Sequence, residues 1–502
     1  MKRYGILAGL ACAVLAYAAI WLGGLNQDEG WYLYAAQMVG EGNGLYRDFF
    51  YTQGPLMPIL YAPLSWLWRD GGLVCARILT CLIGLAGVAF AAALARLLAP
   101  QGRKGAAGVI AFLLLGCNLY HVYYTSIPKT YALAALFVAM GYFLLCRALA
   151  DGNGRFHRLL LFAAGLSLAF AAGTRISLGM LLAVCGFGLL LAFRQLRWSF
   201  VWFGLGGVFG LSVVYGPFLL DPQARAGLCA AQAYHAARGG FDPVFTLGSL
   251  SRLIRWYLPV AVLSGLGVCC RRALVPEGAD AWRARFSRVL LWAGFLAVFG
   301  VQMLAPFPYE DYQVPVMGLV AVAAAVVVVR LGENPHVPVL LALGMTWAGS
   351  FGSPLLQDWM TNGQDRFWCL KKGKSELAQL QDVAAAIERL DPGGKDLLKQ
   401  DLYLAIETGR KVPKGLEMGP FSMLDDAAWE RLLTTAPCRI AAMSGYAFAI
   451  NPPRCDERPL ADQIRYWDLL RKHYGLVYSE SDFGQNATTL LILKRKEGAS
   501  EP

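Results

Sequence analysis

Apolar segments long enough to cross a bilayer recur along the first 350 residues or so, and this repetition restricts the chain to a helical membrane protein. The hydrocarbon core needs about 20 residues of helix, and backbone polar groups there must be paired within the protein. Such segments lie near 4–25, 72–98, 105–120, 130–147, 158–173, 176–193, 199–219, 256–270, 288–305, 313–330 and 336–352. The chain is 57% hydrophobic and 16% charged, too apolar for a soluble globular protein of its 502 residues. Its net charge of +11 raises the question of nucleic acid. Most of its Arg and Lys, however, sit in short loops between apolar segments, where the positive-inside rule accounts for them. No nucleic-acid partner is expected.

Orientation turns on the apolar stretch Pro55 to Trp68. If it crosses, the clusters around Arg96 and Arg103, Arg147 and Arg158, Arg194 and Arg197, and Arg283 to Arg288 all face outside. If it lies along the outer surface as an interfacial helix, they turn cytoplasmic together with Lys2 and Arg3. The second arrangement satisfies the charge rule. It predicts eleven spans, a cytoplasmic N-terminus and an outer C-terminal region. Lys2-Arg3 before an apolar run and Ala16-Tyr17-Ala18 have the outline of a cleavable leader. The run continues through Ile20, Trp21 and Leu22 and more spans follow, which fits a retained anchor. Five outer loops then hold the candidate chemistry: about 26–71, 121–129, the turn at Thr174-Arg175, 221–255, and Pro306 to Tyr312.

The first of these loops opens with Asn26-Gln27-Asp28-Glu29-Gly30-Trp31-Tyr32. Ionisable groups at the bilayer edge are costly to desolvate, so two adjacent carboxylates there point to chemistry or ligand contact. The plainer reading makes Asp28 the N-cap of a helix running through Trp31, Tyr34 and Met38. Chemistry is the expectation for Asp28; for Glu29, capping or solvation stands equally with function.

A set of motifs in fixed order carries a resemblance. The Asp28-Glu29 pair follows the first span, Gln53-Gly54-Pro55-Leu56 with Tyr61 comes next, and Cys75-Ala76-Arg77 heads the second span. Gly173-Thr174-Arg175 then marks an outer turn, and Tyr309-Glu310-Asp311-Tyr312-Gln313-Val314-Pro315 precedes a late span. Over roughly residues 1–350 the chain resembles the protein mannosyltransferase-like group, glycosyltransferase family 39, of the GT-C membrane glycosyltransferases, which includes relatives of the lipid A aminoarabinose transferase. The resemblance implies an α-helical polytopic enzyme that takes a hexose or pentose from a polyprenyl-phosphate donor. It would pass the sugar, with inversion, to a lipid, glycan or protein acceptor on the outer face. Asp28 matches the family's loop carboxylate and would be the general base. Glu29 and Gln53 would contact substrate, and Arg175 and Arg77 would hold the leaving phosphate. Arg77 is equally readable as a snorkelling interfacial side chain.

Departures from the pattern are specific. Where many members carry an acidic residue at the entry to the fourth span, this chain has Lys129, which either contacts the donor phosphate or sits at the interface. The aminoarabinose transferases have a Glu-Lys pair before the first-loop proline, where this chain has Thr52-Gln53-Gly54-Pro55. Glu310 and Asp311 lie near the same face and would bind acceptor or a divalent ion, or else form a solvated loop; the solvated loop is the expectation, and no cofactor or metal is indicated.

From about 352 to 502 the chain turns polar and reads as a separate extracytoplasmic α/β domain after the 1–351 transmembrane domain. Glu376 to Leu390 is an amphipathic helix stopped by Asp391-Pro392-Gly393-Gly394. Ala427 to Leu433 and Ile464 to His473 are further helices, and Cys438 to Met443 and Thr488 to Leu493 are strands. Arg439, Tyr446, Asp482 and Asn486 sit on its loops, either exposed or touching an acceptor. Cys438 and Cys455 are a candidate disulfide in an oxidising compartment; most of the other cysteines lie in apolar segments without metal-ligand spacing. Two other classes share this outline: a transporter or flippase, and a non-catalytic polysaccharide-assembly protein. Neither needs Asp28.

Overall fold

The computed structural model describes residues 1–152, 155–269, 281–330, 334–350, 374–445, 447–452 and 456–496. Each of the eleven apolar segments forms a helix. Seven are long and apolar enough to cross a membrane: Lys2–Trp21, Trp66–Leu98, Thr130–Asp151, His157–Thr174, Ser199–Leu220, Trp282–Met303 and Glu310–Val328. Lys104–Gly116, Gly179–Leu191, Leu258–Cys269 and His336–Ser350 are shorter. Their outer surfaces carry exposed Leu, Val, Phe and Ile, as lipid-facing helices require.

The helix ends sort into two faces. On one, the Arg103 guanidinium donates to the Val329 carbonyl at 3.1 Å, the Tyr4 and His336 rings lie 5.5 Å apart, and Arg283 approaches Gly152. This is the face predicted to gather the basic clusters. The opposite face carries the loops that hold the acidic and aromatic motifs.

Pro55 to Trp68 is not a single interfacial helix. It breaks into a six-residue helix Leu56–Tyr61, a 3₁₀ turn Ala62–Leu64, and the start of the helix that begins at Trp66. Six residues rise only about 9 Å, so that helix alone is too short to span a bilayer. Ile59, Leu60 and Trp66 remain exposed along it. The long helix Trp66–Leu98 is itself broken at Gly72, whose φ of 65° is open to glycine and strained for other residues.

The polar region folds around two packed layers. β1 (Ile440–Ser444), β4 (Tyr474–Phe483) and β5 (Thr488–Arg495) form an antiparallel sheet in the order β1-β5-β4, while β2 (Ile450–Asn451) and β3 (Asp456–Glu457) make a small separate pair. Leu398 bridges to Ala441 in parallel, at β1. The helices Glu376–Leu390, Asp426–Thr435 and Leu460–His473 agree with the sequence reading, and β4 and the helix Leu402–Thr408 are additions to it. The boundary placed near residue 352, as well as Tyr446 and Cys455, lie outside the described residues; Cys438 is a buried free thiol.

This polar unit docks on the loop-bearing face. Leu25 donates its amide to Glu376 Oε2 at 2.7 Å, and Gln27 donates to Gln485 Oε1 at 2.8 Å. Val412 donates to the Tyr34 hydroxyl at 3.1 Å, and Lys411 pairs with Glu41 at 2.8 Å. Gly30 is required by this contact, because a Cβ there would lie 2.1 Å from the Tyr403 nitrogen.

Candidate active site

The helix Gln27–Gly40 presents the first acidic pair, and its start explains why the two carboxylates part company. Asn26, not Asp28, is the N-cap. Its side chain accepts from the Asp28 amide at 3.1 Å while Glu29 Oε1 accepts from the Asn26 amide at 2.9 Å, a capping box. Glu29 therefore turns back into the protein. There it meets Arg77, whose Nε and Nη2 donate to the two carboxylate oxygens at 2.8 and 2.7 Å. The remaining guanidinium hydrogens go to the carbonyls of Ile20, Gly23 and Gly24. Both side chains are fully buried. Of the readings open for Glu29 the structure has the capping one, and Arg77, expected at phosphate or at the membrane interface, is instead buried: every Arg77 donor is consumed in clamping the end of the first span to the second, and neither residue lines the cavity.

Asp28, one residue earlier on the helix, points the other way, into a cavity of about 570 Å³. Its Oδ1 accepts from Trp31 Nε1 at 3.1 Å, and its Oδ2 lies 3.0 Å from Lys129 Nζ. All five predicted outer loops reach this cavity, through Asp28 and Gln53, Lys129, Arg175, His235 and Asp311 among others. Phe421, Ile450, Gln485 and Asn486 of the polar unit complete its wall.

Lys129 is neither at the lipid interface nor exposed. It caps the start of Thr130–Asp151, is buried, and bridges Asp28 to Asp311 Oδ2, which is 3.2 Å away. Asp311 sits on the 3₁₀ turn Glu310–Gln313 and also accepts from the Tyr131 hydroxyl at 2.9 Å. The expectation of a solvated Glu310-Asp311 loop is thus corrected. Asp311 is buried at the cavity, and Glu310 leaves it to pair with Arg252 at 3.0 Å and accept from Ser249 at 3.2 Å. That tie fastens the helix Pro243–Trp256 to the loop, so Glu310 is neither solvated nor at the cavity but engaged in a structural contact.

Arg175 follows the helix His157–Thr174 and lies between two aromatic faces, with its guanidinium 4.9 Å from the Tyr131 ring and 4.7 Å from the Tyr312 ring. One Nη donates to Thr130 Oγ1 at 3.3 Å. Among the described residues no carboxylate lies within ion-pair distance, and a guanidinium set against two ring faces presents a donor fork suited to an anion. Nearby, the Gln53 segment is fixed on both sides: the Tyr46 hydroxyl donates to the Gln53 carbonyl, and His235 Nε2 lies 2.7 Å from the Thr52 carbonyl, to which it donates. Burial, opposed by that hydrogen bond and reinforced by Arg238 and Arg175, holds the His235 imidazole below its ordinary pKa, so it is neutral near pH 7.

The aromatic and amide lining is what residue-by-residue reading missed. Trp31, Tyr32 and Tyr131 lie inside motifs already singled out, and His235 and Arg238 inside a predicted outer loop, but nothing local marks them as facing one space. Of the loop residues proposed for the polar unit, Asn486 reaches the cavity wall.

At the level of sequence, no known family model and no curated protein matches the chain. Solved structures do. ArnT from Cupriavidus metallidurans bound to undecaprenyl phosphate superposes with a TM-score of 0.60 at 14% identity, over 100% of both chains. The apo form of the same protein gives 0.62 at 15%, over 100% of this chain and 99% of that one. The oligosaccharyltransferase of Archaeoglobus fulgidus, tethered to an acceptor peptide with the NVT sequon, gives 0.54 at 11%, over 99% of this chain and 74% of that one. The chain has the GT-C fold. In this chain the cavity lies between the helical bundle and the polar unit, both of which contribute to its wall. At these identities the likeness is one of architecture.

Proposed function

We propose that this protein is an inverting glycosyltransferase that moves a sugar from a polyprenyl-phosphate donor to a hydroxyl of a lipid, glycan or protein at the outer face of a bacterial cytoplasmic membrane. The observation that carries the reading is the presence, in one cavity, of a partly exposed carboxylate, Asp28, and of a guanidinium with no carboxylate partner among the described residues, Arg175. Support comes from the fold, since ArnT holds undecaprenyl phosphate in one structure and AglB from Archaeoglobus fulgidus holds dolichol-phosphate with an inhibitory peptide in another. A transporter would be expected to carry its ionisable groups at mid-membrane on broken helices, whereas Asp28, Lys129, Arg175 and Asp311 all sit at helix ends or on a 3₁₀ turn.

In this reaction the acceptor hydroxyl attacks the anomeric carbon from the side opposite the phosphate. The new C–O bond forms as the bond to the phosphate oxygen breaks, and the configuration inverts. Asp28 takes the hydroxyl proton, and the departing phosphate keeps the bonding electrons as an anion. Arg175 offers paired N–H donors to that anion. Trp31, by donating to Asp28 Oδ1, fixes the carboxylate plane. The aromatic lining supplies faces for the sugar and for the first isoprene units. No metal is needed for this balance.

The test is direct. The purified full-length protein in nanodiscs is given undecaprenyl phosphate linked to a hexose or to a pentose, with membrane extract as the source of acceptor. Release of free undecaprenyl phosphate from at least one donor, with an inverted anomer in the product, is expected. Neither binding nor turnover of any donor in such a panel contradicts the assignment.

A further inference from the structure

Lys129 occupies an unusual place for a lysine, since its ammonium is held between the two carboxylates of the cavity, 3.0 Å from Asp28 and 3.2 Å from Asp311, with its side chain only 5% exposed. The Tyr124 and Tyr131 rings lie 5.3 and 5.0 Å from it. Two carboxylates that converge on one point oppose each other's ionisation, so one of them tends to hold a proton. Open sites commonly answer this with a divalent cation on carboxylate oxygens. Here the backbone delivers a cation of its own.

We infer that Lys129 is a fixed internal cation that pairs with Asp28 and orients it, filling the position between Asp28 and Asp311, so that transfer does not depend on an added metal. The inference rests on the reading of Asp28 as the base. Lys129 is a positioning residue in this scheme: it touches Asp28 Oδ2 and leaves proton abstraction to the carboxylate. Asp311 is the counterweight. Its Oδ2 takes the Lys129 and Tyr131 donors, while its Oδ1 is buried without a hydrogen-bond partner among the described residues. Asp311 thereby holds the ammonium in line instead of letting it collapse onto Asp28 alone.

Removing the cation has a signature that a purely structural role lacks. In Lys129→Ala the carboxylates face each other across a vacated space and compete for one proton, so the base is protonated up to a higher pH. The acid limb of the pH–rate profile then moves upward. A small external cation restores what was lost.

The experiment follows undecaprenyl phosphate release by the full-length protein in nanodiscs, across pH, with EDTA, with Mg²⁺ or Mn²⁺, and with methylamine. For the wild type, EDTA is expected to leave the rate within about twofold. Lys129→Ala is expected to lose about 10-fold or more near pH 7, to shift its acid limb to higher pH, and to recover in part with a divalent ion or methylamine. Lys129→Arg, which keeps the charge, is expected to retain the wild-type limb. Loss of wild-type activity in EDTA overturns the inference, and so does a Lys129→Ala profile that neither shifts nor responds to added cations. An active Asp28→Asn variant would instead remove the base assignment itself, whatever Lys129 does.

Discussion

Arg77 grips both carboxylate oxygens of Glu29, at 2.7 and 2.8 Å, and neither side chain is exposed. The pair joins the first loop to the second span next to Asp28, so it sets where Asp28 stands. Removing one partner strands a buried charge, which typically costs about 3–5 kcal/mol. Arg77→Met is therefore expected to lower the unfolding temperature sharply and to cut the yield of folded protein in detergent. A stable Arg77→Met protein with a raised donor requirement would return Arg77 to the binding machinery.

The docking of the polar unit depends on Glu407, which accepts the Leu73 amide at 2.8 Å where the second span restarts after Gly72. Burial raises the Glu407 carboxyl, and the Leu73 amide, Gln381 and Arg77 only partly oppose it. A carboxyl with a folded pKa above its unfolded one binds its proton more tightly when folded. Its contribution to stability is complete below the unfolded pKa and is lost as pH rises through the folded pKa. Relative to Glu407→Gln, which keeps an acceptor for Leu73, the wild type should thus lose stability as pH rises from the acid side of the carboxylate range towards neutrality. The same slope in both proteins would place the pH dependence elsewhere.

Arg175 has aromatic faces but no carboxylate partner among the described residues. Loss of a charged hydrogen bond is worth about 1.5–3 kcal/mol. Arg175→Ala is accordingly expected to raise the donor concentration needed for half-maximal transfer by about 10- to 150-fold and to leave acceptor dependence nearly unchanged. Unaltered donor dependence would mean that the phosphate is held by other groups.

The two faces of the bundle predict opposite reporters. A fusion at Gly102, beside Arg103 on the basic face, should report cytoplasm, and one at Gly394, in the docked polar unit, should report the outer side. The same signal from both would contradict the sidedness of the cavity.

What was legible in the sequence was whatever depends on local pattern. The eleven apolar runs, the basic loops and the helix Glu376–Leu390 each carry their signal within a few turns, and all three appear in the structure. Asp28 was legible because a carboxylate at the end of an apolar run is costly. The capping box was available in Asn26-x-x-Glu29, yet the buried partner Arg77 lies 48 residues away and no local pattern links them. Asp311 looked like a solvated loop residue because its partners, Lys129 and Tyr131, come from another part of the chain. β4 escaped notice because its middle is half exposed and shows no clean alternation, and Leu402–Thr408 because it is buried on all sides at its start.

The central claim is that Asp28 takes the acceptor proton. The measurement that tests it most directly is the transfer rate of Asp28→Asn beside wild type, with donor binding and unfolding temperature measured on the same preparation. The account predicts a folded protein that binds donor normally and transfers about 10²–10⁴-fold more slowly. A well-folded Asp28→Asn protein that transfers at the wild-type rate would contradict it.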